Sequence, residues 1–289
     1  MKAVIPAAGA GVRFLPMTKV QPKEMLPIVD KPTIQYVVEE AIAAGITDIL
    51  IITGAGKRAI EDHFDRSPEL ESMLERQGRT KELEEIRRIS NMVDIHYIRQ
   101  KVQRGLGDAI LCAKKHVGHE PFAVMLGDTI NVSRVPVVKQ IMEVHEEFGS
   151  SVLAVEPVAD GKVSDYGIVD GEMIRERLYL VRDLVEKPRL EDAPSRIGIT
   201  GTYILTPSVF ECIERTKPGA NGEIQLTDAL RILRQREKMF GYWFEGTRYD
   251  IGDKLGWMKT NFELTLSHPE FSGTVREHLQ HLLTKKAGD

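Results

Sequence analysis

The order of elements in residues 2–53 constrains the fold more than any other feature of the chain. Apolar KAVIPAA stops at Gly9 and reads as a buried strand, and DILIIT, ending at Thr53, reads as a second one. Between them Ile34, Val37, Val38, Ala41 and Ile42 form an i, i+3, i+4, i+7, i+8 stripe that ends at Gly45. That spacing predicts a helix, with Asp30 as its N-cap and Pro32 in its first turn. A strand, a helix and a strand in succession make a crossover unit, whose strands pair in parallel and whose hand is almost always right. The chain is therefore an α/β protein.

The crossover is interrupted by GAGVRFLPMTKVQPKEMLP, from Gly9 to Pro27, which is rich in glycine, proline and lysine and continues neither strand nor helix. The remaining pattern extends the α/β reading. Residues 68–89 are charged and helical in spacing, broken at Gly78, and read as an outer helical insertion. Then come a strand at IHYIRQ, a helix at DAILCAKKHV and the apolar strand FAVML leading into Gly127 and Asp128. From Ser151 the chain reads as strands SVLAVEP, LVRDLVEKP and IGITGTYIL, a helix from Ile224 to about Arg236, a strand MFGYWFE and a helix after Gly252. No linker or repeat divides the chain, so residues 1–289 are expected to form one domain, its N-terminal half facing a nucleotide and its C-terminal half a second ligand.

A net charge of -4 supplies no field for nucleic acid, so an anion site has to be a local cluster of basic groups and backbone amides. No long apolar span points to a membrane, and Cys112 and Cys212 lack metal-ligand or redox spacing. A cytoplasmic protein with reduced thiols is the expectation.

Gly9 and Gly11 permit positive φ and a close approach of backbone N–H groups to a phosphate, with the planar fork of Arg13 and the mobile charge of Lys23 nearby. The loop lacks the Gly-Lys-Ser/Thr ending of a P-loop, and a plain glycine turn is the alternative. Asp128 and Asp250 each follow a strand-like stretch; together they would suit Mg2+ shared with substrate phosphates, and singly each reads as a turn or cap. Gln100 and Gly105, in the segment leading to GLGDA, would present an amide and a flat backbone to a base, or simply begin a helix. Glu186 and Lys187 would serve the hydroxyls and the phosphate of a sugar phosphate, or mark an edge strand halted by Pro188.

Taken together, the glycine loop with Arg13, PKEMLPIVDKP, HFDRSPELE, QKVQRGLGDAILCA, LGD at Asp128, EPVAD, VEKP, GEIQLTDA and YDIGDKLG resemble the sugar nucleotidyltransferase family over nearly the whole chain. HFDRSPELE and GEIQLTDA are similar to its bacterial-type UTP–glucose-1-phosphate uridylyltransferase branch. The resemblance implies a Rossmann-like, GT-A-like mixed sheet flanked by helices. It implies conversion of UTP and glucose 1-phosphate to UDP-glucose and pyrophosphate with Mg2+, in a homodimer or homotetramer. On that basis Ala7, Ala8, Gly9 and Gly11 line the nucleotide, Arg13 and Lys23 hold its triphosphate, and Gln100 and Gly105 read the uracil. Asp128 and Asp250 hold the metal; Tyr166, Gly167, Glu186, Lys187 and Gly201 lie on the sugar side.

Val12 stands where the family commonly has threonine and Asp108 where it commonly has histidine; Arg196 and Gly198 replace its usual asparagine and alanine. These departures touch rate and preference, and leave open a paralogue using dTTP, galactose 1-phosphate or an N-acetylhexosamine phosphate. A nucleotide-sugar-binding regulator without catalysis is the rival from another class.

Overall fold

The structure, a computed structural model, describes residues 1–219 and 222–286. The N-terminal part contains β1 (Lys2–Pro6), a short hairpin of β2 (Pro27–Ile28) and β3 (Lys31–Pro32), α1 (Thr33–Ala43) and β4 (Asp48–Thr53). Three helices follow, α2 (Arg58–Phe64), α3 (Pro68–Arg76) and α4 (Thr80–Ser90), then β5 (Asp94–Arg99), α5 (Leu106–Leu111), α6 (Lys114–Val117) and β6 (Phe122–Met125). Beyond it lie β7 (Thr129–Val132), α7 (Val137–Phe148), β8 (Ser151–Pro157), β9 (Gly167–Arg175), β10 (Leu178–Glu186) and β11 (Ile197–Leu205). The chain continues through α8 (Ser208–Arg215), α9 (Leu226–Arg234), β12 (Met239–Trp243), β13 (Thr247–Asp250), α10 (Lys254–Ser267) and α11 (Ser272–Lys286).

Among the described residues nine strands form one mixed sheet in the order β5-β4-β1-β6-β11-β8-β12-β10-β9. β1 pairs in parallel with β4 and β6, and β4 with β5, as the crossover pattern requires. β11 turns antiparallel against β6 and carries the sheet into the second half of the chain. Alternation along β1 sends Val4 into one apolar layer with Ile110, Phe210 and Leu230, and Ala3 and Ile5 into another with Ile34, Val38 and Ile141. Both faces of the central strands are thus covered by helices, which explains why those strands are apolar throughout rather than alternating.

The predicted start of the first helix is corrected. Asp30 is not its N-cap: Val29, at φ 59°, turns the chain into the β2–β3 hairpin, and the helix begins at Thr33 after Pro32. The predicted helix over residues 108–117 divides into α5 and α6, and the one from Ile224 starts at Leu226 and ends at Arg234. The insertion is α3 and α4, interrupted at Gly78 as its composition suggests.

Two small features position the site. A cluster of Phe14, Leu26, Ile28, Ile130 and Ile251 buries the glycine loop, the β2–β3 hairpin and the β7–β13 pair against one another. α10, capped by Asp253 through the Gly256 N–H at 2.8 Å, docks on that hairpin: Trp257 Nε1 donates to the Pro27 carbonyl at 2.9 Å, and Asn261 Oδ1 accepts from Val29 N at 3.0 Å.

Candidate active site

The antiparallel pair β7–β13 places Asp250 opposite Thr129, and Ile251 N donates to the Asp128 carbonyl at 3.1 Å. The two aspartates are therefore adjacent in space although far apart in sequence. They line a cleft of about 430 Å3 with Arg13, Lys23 and Thr129 on one side and Tyr166, Gly167, Glu186, Lys187 and Gly201 on the other. Nine of the predicted site residues thus share one cleft. Ala7, Ala8, Gly9, Gly11, Gln100 and Gly105 do not line it; Leu106, just past Gly105, does.

The glycine loop follows β1, with Ala7 and Ala8 buried. Gly11 is left-handed at φ 67°, as predicted; Gly9 is not, so only the second glycine needs that freedom. Phe14 is driven into the small apolar cluster, while the Arg13 guanidinium lies against Gly252, whose Cβ, if present, would stand 3.3 Å from Nη2. Lys23 is ion-paired to Asp128 Oδ2. Burial alone would lower the Lys23 pKa, but the Asp128 and Glu24 carboxylates more than reverse this and hold the ammonium charged. Glu24 is itself 1% exposed, bonded to buried Lys57 at 2.7 Å, and its Oε1 has no partner among the described residues. Burial pushes its carboxyl up, against the opposing pull of Lys23 and Lys57.

Asp250 belongs to a network that the sequence reading missed. The Tyr166 hydroxyl donates to its Oδ2 at 2.6 Å, Gly252 N donates to Oδ1 at 2.9 Å, and Arg248 Nη1 lies 3.3 Å from Oδ2. Arg248 also bonds Glu156 Oε1 through Nη2 at 2.6 Å. Burial alone would raise the Asp250 pKa; the hydroxyl, the guanidinium and the amide outweigh it and hold the carboxyl below its ordinary value. A signal for Arg248 was present, because alternation along RYD puts positions 248 and 250 on the same face of a strand.

On the opposite wall, Gly167 lets Glu186 approach: a Cβ there would lie 3.3 Å from Glu186 Oε2 and 2.9 Å from Thr227 Oγ1. Lys187 has φ 46°, rare for a residue with a side chain, and its N–H is held by the Tyr166 carbonyl at 3.0 Å. Its ammonium is 3.4 Å from Glu186 Oε1 and largely exposed. Gly201, at φ 90°, sits in the irregular stretch of β11, where a Cβ would meet Leu126 Cδ1 at 2.7 Å. Glu223, Gln225 and Tyr203 complete this wall and were not singled out from the sequence.

Around Gln100 the geometry differs from the simplest expectation. Gly105 and Gly107 are small because the Ile224 main chain crowds them, with a Cβ 2.7 Å and 2.9 Å from its carbonyl oxygen. The Gln103 amide donates to the Ala8 carbonyl at 2.5 Å and so ties this loop to the glycine loop. A separate grouping of Asp48, His96 and His116 lies near the starts of β4 and β5, about 20 Å from the cleft end of a six-residue strand, with the Lys2 ammonium already 3.7 Å from Asp48. It takes no part in this cleft.

The nucleotidyl transferase family model matches residues 2–265. A UTP–glucose-1-phosphate uridylyltransferase of Bacillus subtilis (strain 168) is 50% identical over 99% of this chain and 98% of its own length. A second from that organism, YngB, is 52% identical over 99% and 96%. Among solved structures, a UDP-glucose pyrophosphorylase complexed with UDP-glucose superposes with a TM-score of 0.84 at 46% identity, covering 91% of this chain and 97% of its own. The UTP-bound UGPase of Acinetobacter baumannii reaches 0.90 at 37% identity, covering 97% and 99%. With a match from β1 into α10 and near-full-length relatives at half identity, the chain belongs to the nucleotidyl transferase family.

Proposed function

We propose that this protein transfers the uridylyl group of UTP to glucose 1-phosphate, giving UDP-glucose and pyrophosphate. The phosphate oxygen of the sugar attacks the α-phosphorus in line with the leaving pyrophosphate, and no protein nucleophile is required. The protein's task is to bring two anions together, so positioning and charge neutralisation carry the catalysis. Arg13 and Lys23 serve the triphosphate and the departing pyrophosphate, Lys187 the attacking phosphate, and Glu186 the sugar hydroxyls. Gln100 and Gly105 face the uracil, beside Ala7, Ala8, Gly9 and Gly11. Tyr166, Gly167 and Gly201 shape the sugar side.

Asp128 and Asp250 would hold Mg2+. The fit is supported by their chemistry: two hard carboxylates, one in the turn just before β7 and one at the end of its partner β13, each already facing a cation, Lys23 in one case and Arg248 in the other. When bound, the ion neutralises phosphate charge on both substrates. The single observation that carries the proposal is the convergence of these aspartates, by the β7–β13 pairing, in one cleft with Arg13, Lys23 and Lys187.

The test is pyrophosphate release from purified protein with Mg2+, pairing UTP, dTTP, ATP, CTP and GTP against glucose 1-phosphate and other sugar 1-phosphates. Preference for UTP with glucose 1-phosphate, abolished in Asp128→Ala, is expected. Another preferred pair would move the substrate assignment, and no release from any pair would overturn catalysis.

The continuous sheet supports a single domain for residues 1–289, of which 220, 221 and 287–289 lie outside the described residues. Exposed Leu255, Met258 and Phe262 on α10 and Leu283 on α11 favour a homodimer or homotetramer through the C-terminal helices, to be read by sedimentation. Among the described residues no helix is long and apolar enough to cross a membrane, in keeping with a cytoplasmic location.

A further inference from the structure

Gln100 stands just past β5, its backbone N–H held by the Thr53 carbonyl at 2.8 Å. It is 5% exposed, and its side-chain amide has two neighbours. Nε2 donates to Asp108 Oδ2 at 2.7 Å and to the Gly105 carbonyl at 3.3 Å. A carbonyl can only accept, and so can a carboxylate paired with a guanidinium; Asp108 is one, since its Oδ1 takes Arg104 Nε at 3.1 Å and Nη2 at 2.7 Å. Reversing the amide would set its oxygen against both acceptors. The orientation therefore follows from the chemistry of the neighbours, not from a choice between two similar shapes.

What remains is Oε1. Among the described residues no donor reaches it, and it is not fully buried, so a group from outside the chain can still meet it. The loop that carries it is tied to the nucleotide loop by the Gln103 bond to Ala8.

We propose that Asp108 is a positioning residue for base selectivity: by holding the Gln100 amide with its NH2 turned inward, it leaves a pure acceptor for the base. This rests on the reading that Gln100 faces the base. Uracil presents a ring N–H at position 3 and satisfies such an acceptor, whereas cytosine presents a bare ring nitrogen there and sets two acceptors against each other. A site built around a specific hydrogen bond rejects the mismatched analogue strongly, because a buried polar group is left unpaired. Asp108 touches no substrate in this scheme and acts only through Gln100.

The experiment compares kcat/KM for UTP and CTP, each with glucose 1-phosphate, in the wild type, Asp108→Asn, Gln100→Ala and the double variant. Asparagine keeps the size of Asp108 but can offer either a donor or an acceptor, so Gln100 is free to turn. Asp108→Asn is expected to lower the UTP/CTP ratio at least tenfold, chiefly through a gain in CTP use, which structural damage does not produce. In the Gln100→Ala background the same change should leave the ratio where Gln100→Ala alone puts it. If Gln100→Ala raises KM for UTP while Asp108→Asn keeps the wild-type ratio within twofold, the role of Asp108 is overturned and the base reading stands. If Gln100→Ala changes neither the UTP KM nor the ratio, the base reading fails and the proposal with it. A fall in use of both nucleotides with no change of ratio also overturns it.

Discussion

The Tyr166 hydroxyl donates to Asp250 Oδ2 at 2.6 Å, joining the wall of the cleft that carries Glu186 and Lys187 to a proposed metal carboxylate. The same tyrosine accepts the Lys187 N–H through its carbonyl oxygen. One residue thus spaces the proposed metal carboxylate from the cation proposed for the attacking phosphate. Such outer partners fix a ligand's orientation, and their loss commonly costs about 10- to 100-fold in metal affinity or activity. Tyr166→Phe is expected to raise the Mg2+ concentration for half-maximal turnover by about tenfold or more. A magnesium titration of initial rate checks it, and an unchanged midpoint would detach Tyr166 from the metal site.

Lys187 combines an exposed ammonium with a left-handed backbone. A residue with a Cβ held there stores of the order of 1 kcal/mol, and the strain is retained where it aims a group. Lys187→Gly relieves the backbone and removes the charge. Turnover is expected to fall roughly 100-fold or more, as for loss of one transition-state donor, while thermal stability is unchanged or improved. The two effects together, measured by steady-state rate and melting temperature, separate a catalytic role from a structural one.

Beneath Lys23, the buried Lys57–Glu24 pair lies close to the Asp128 end of the cleft: a Cβ on Gly127 would stand 3.3 Å from Glu24 Cγ. Removing one member of a buried pair leaves the other charge uncompensated and costs about 3–5 kcal/mol. Lys57→Ala should therefore lower the unfolding free energy, read from denaturant melts, by an amount of that order. Lys57→Met with Glu24→Gln, which removes both charges, should recover much of it. A double variant as unstable as the single one would show that packing rather than charge is responsible.

Much of the sheet was legible because its central strands are buried on both faces and therefore apolar without interruption, as in DILIIT and FAVML. The start of α1 was not, since a left-handed Val29 makes a hairpin that local composition does not announce. Arg13, Lys23 and Lys187 were legible as charges in sequence contexts that cannot continue regular structure. The meeting of Asp128 with Asp250 depends instead on the pairing of β7 with β13, a long-range event with no local signature. Glu156 was hidden for the same reason: its bond to Arg248 joins β8 to β13 across the site, and it alone looks like an ordinary strand charge, whereas Arg248 shared a strand face with Asp250.

The depressed pKa of Asp250 makes a prediction about acid. Its unfolded value is near the ordinary 3.8 of an aspartate, and the folded value lies below it. A carboxylate of this kind contributes stability that is present above the unfolded pKa and is lost as pH falls through the folded one. Two consequences follow from that sign. In activity, Asp250 stays ionised throughout the neutral range, so an acid limb seen near pH 6 belongs to substrate phosphate or another group, and Asp250→Asn should abolish turnover at every pH across that range. In stability, the melting temperature of Asp250→Asn should fall furthest below wild type at pH 5 and above, where the network of Tyr166, Arg248 and Gly252 holds a charged partner. The gap should narrow as the pH is taken from 5 towards 3, because the wild type then loses what the variant never had. Melting curves at half-unit steps over that window measure it, and a gap constant with pH would mean that the carboxylate's charge adds nothing to the fold.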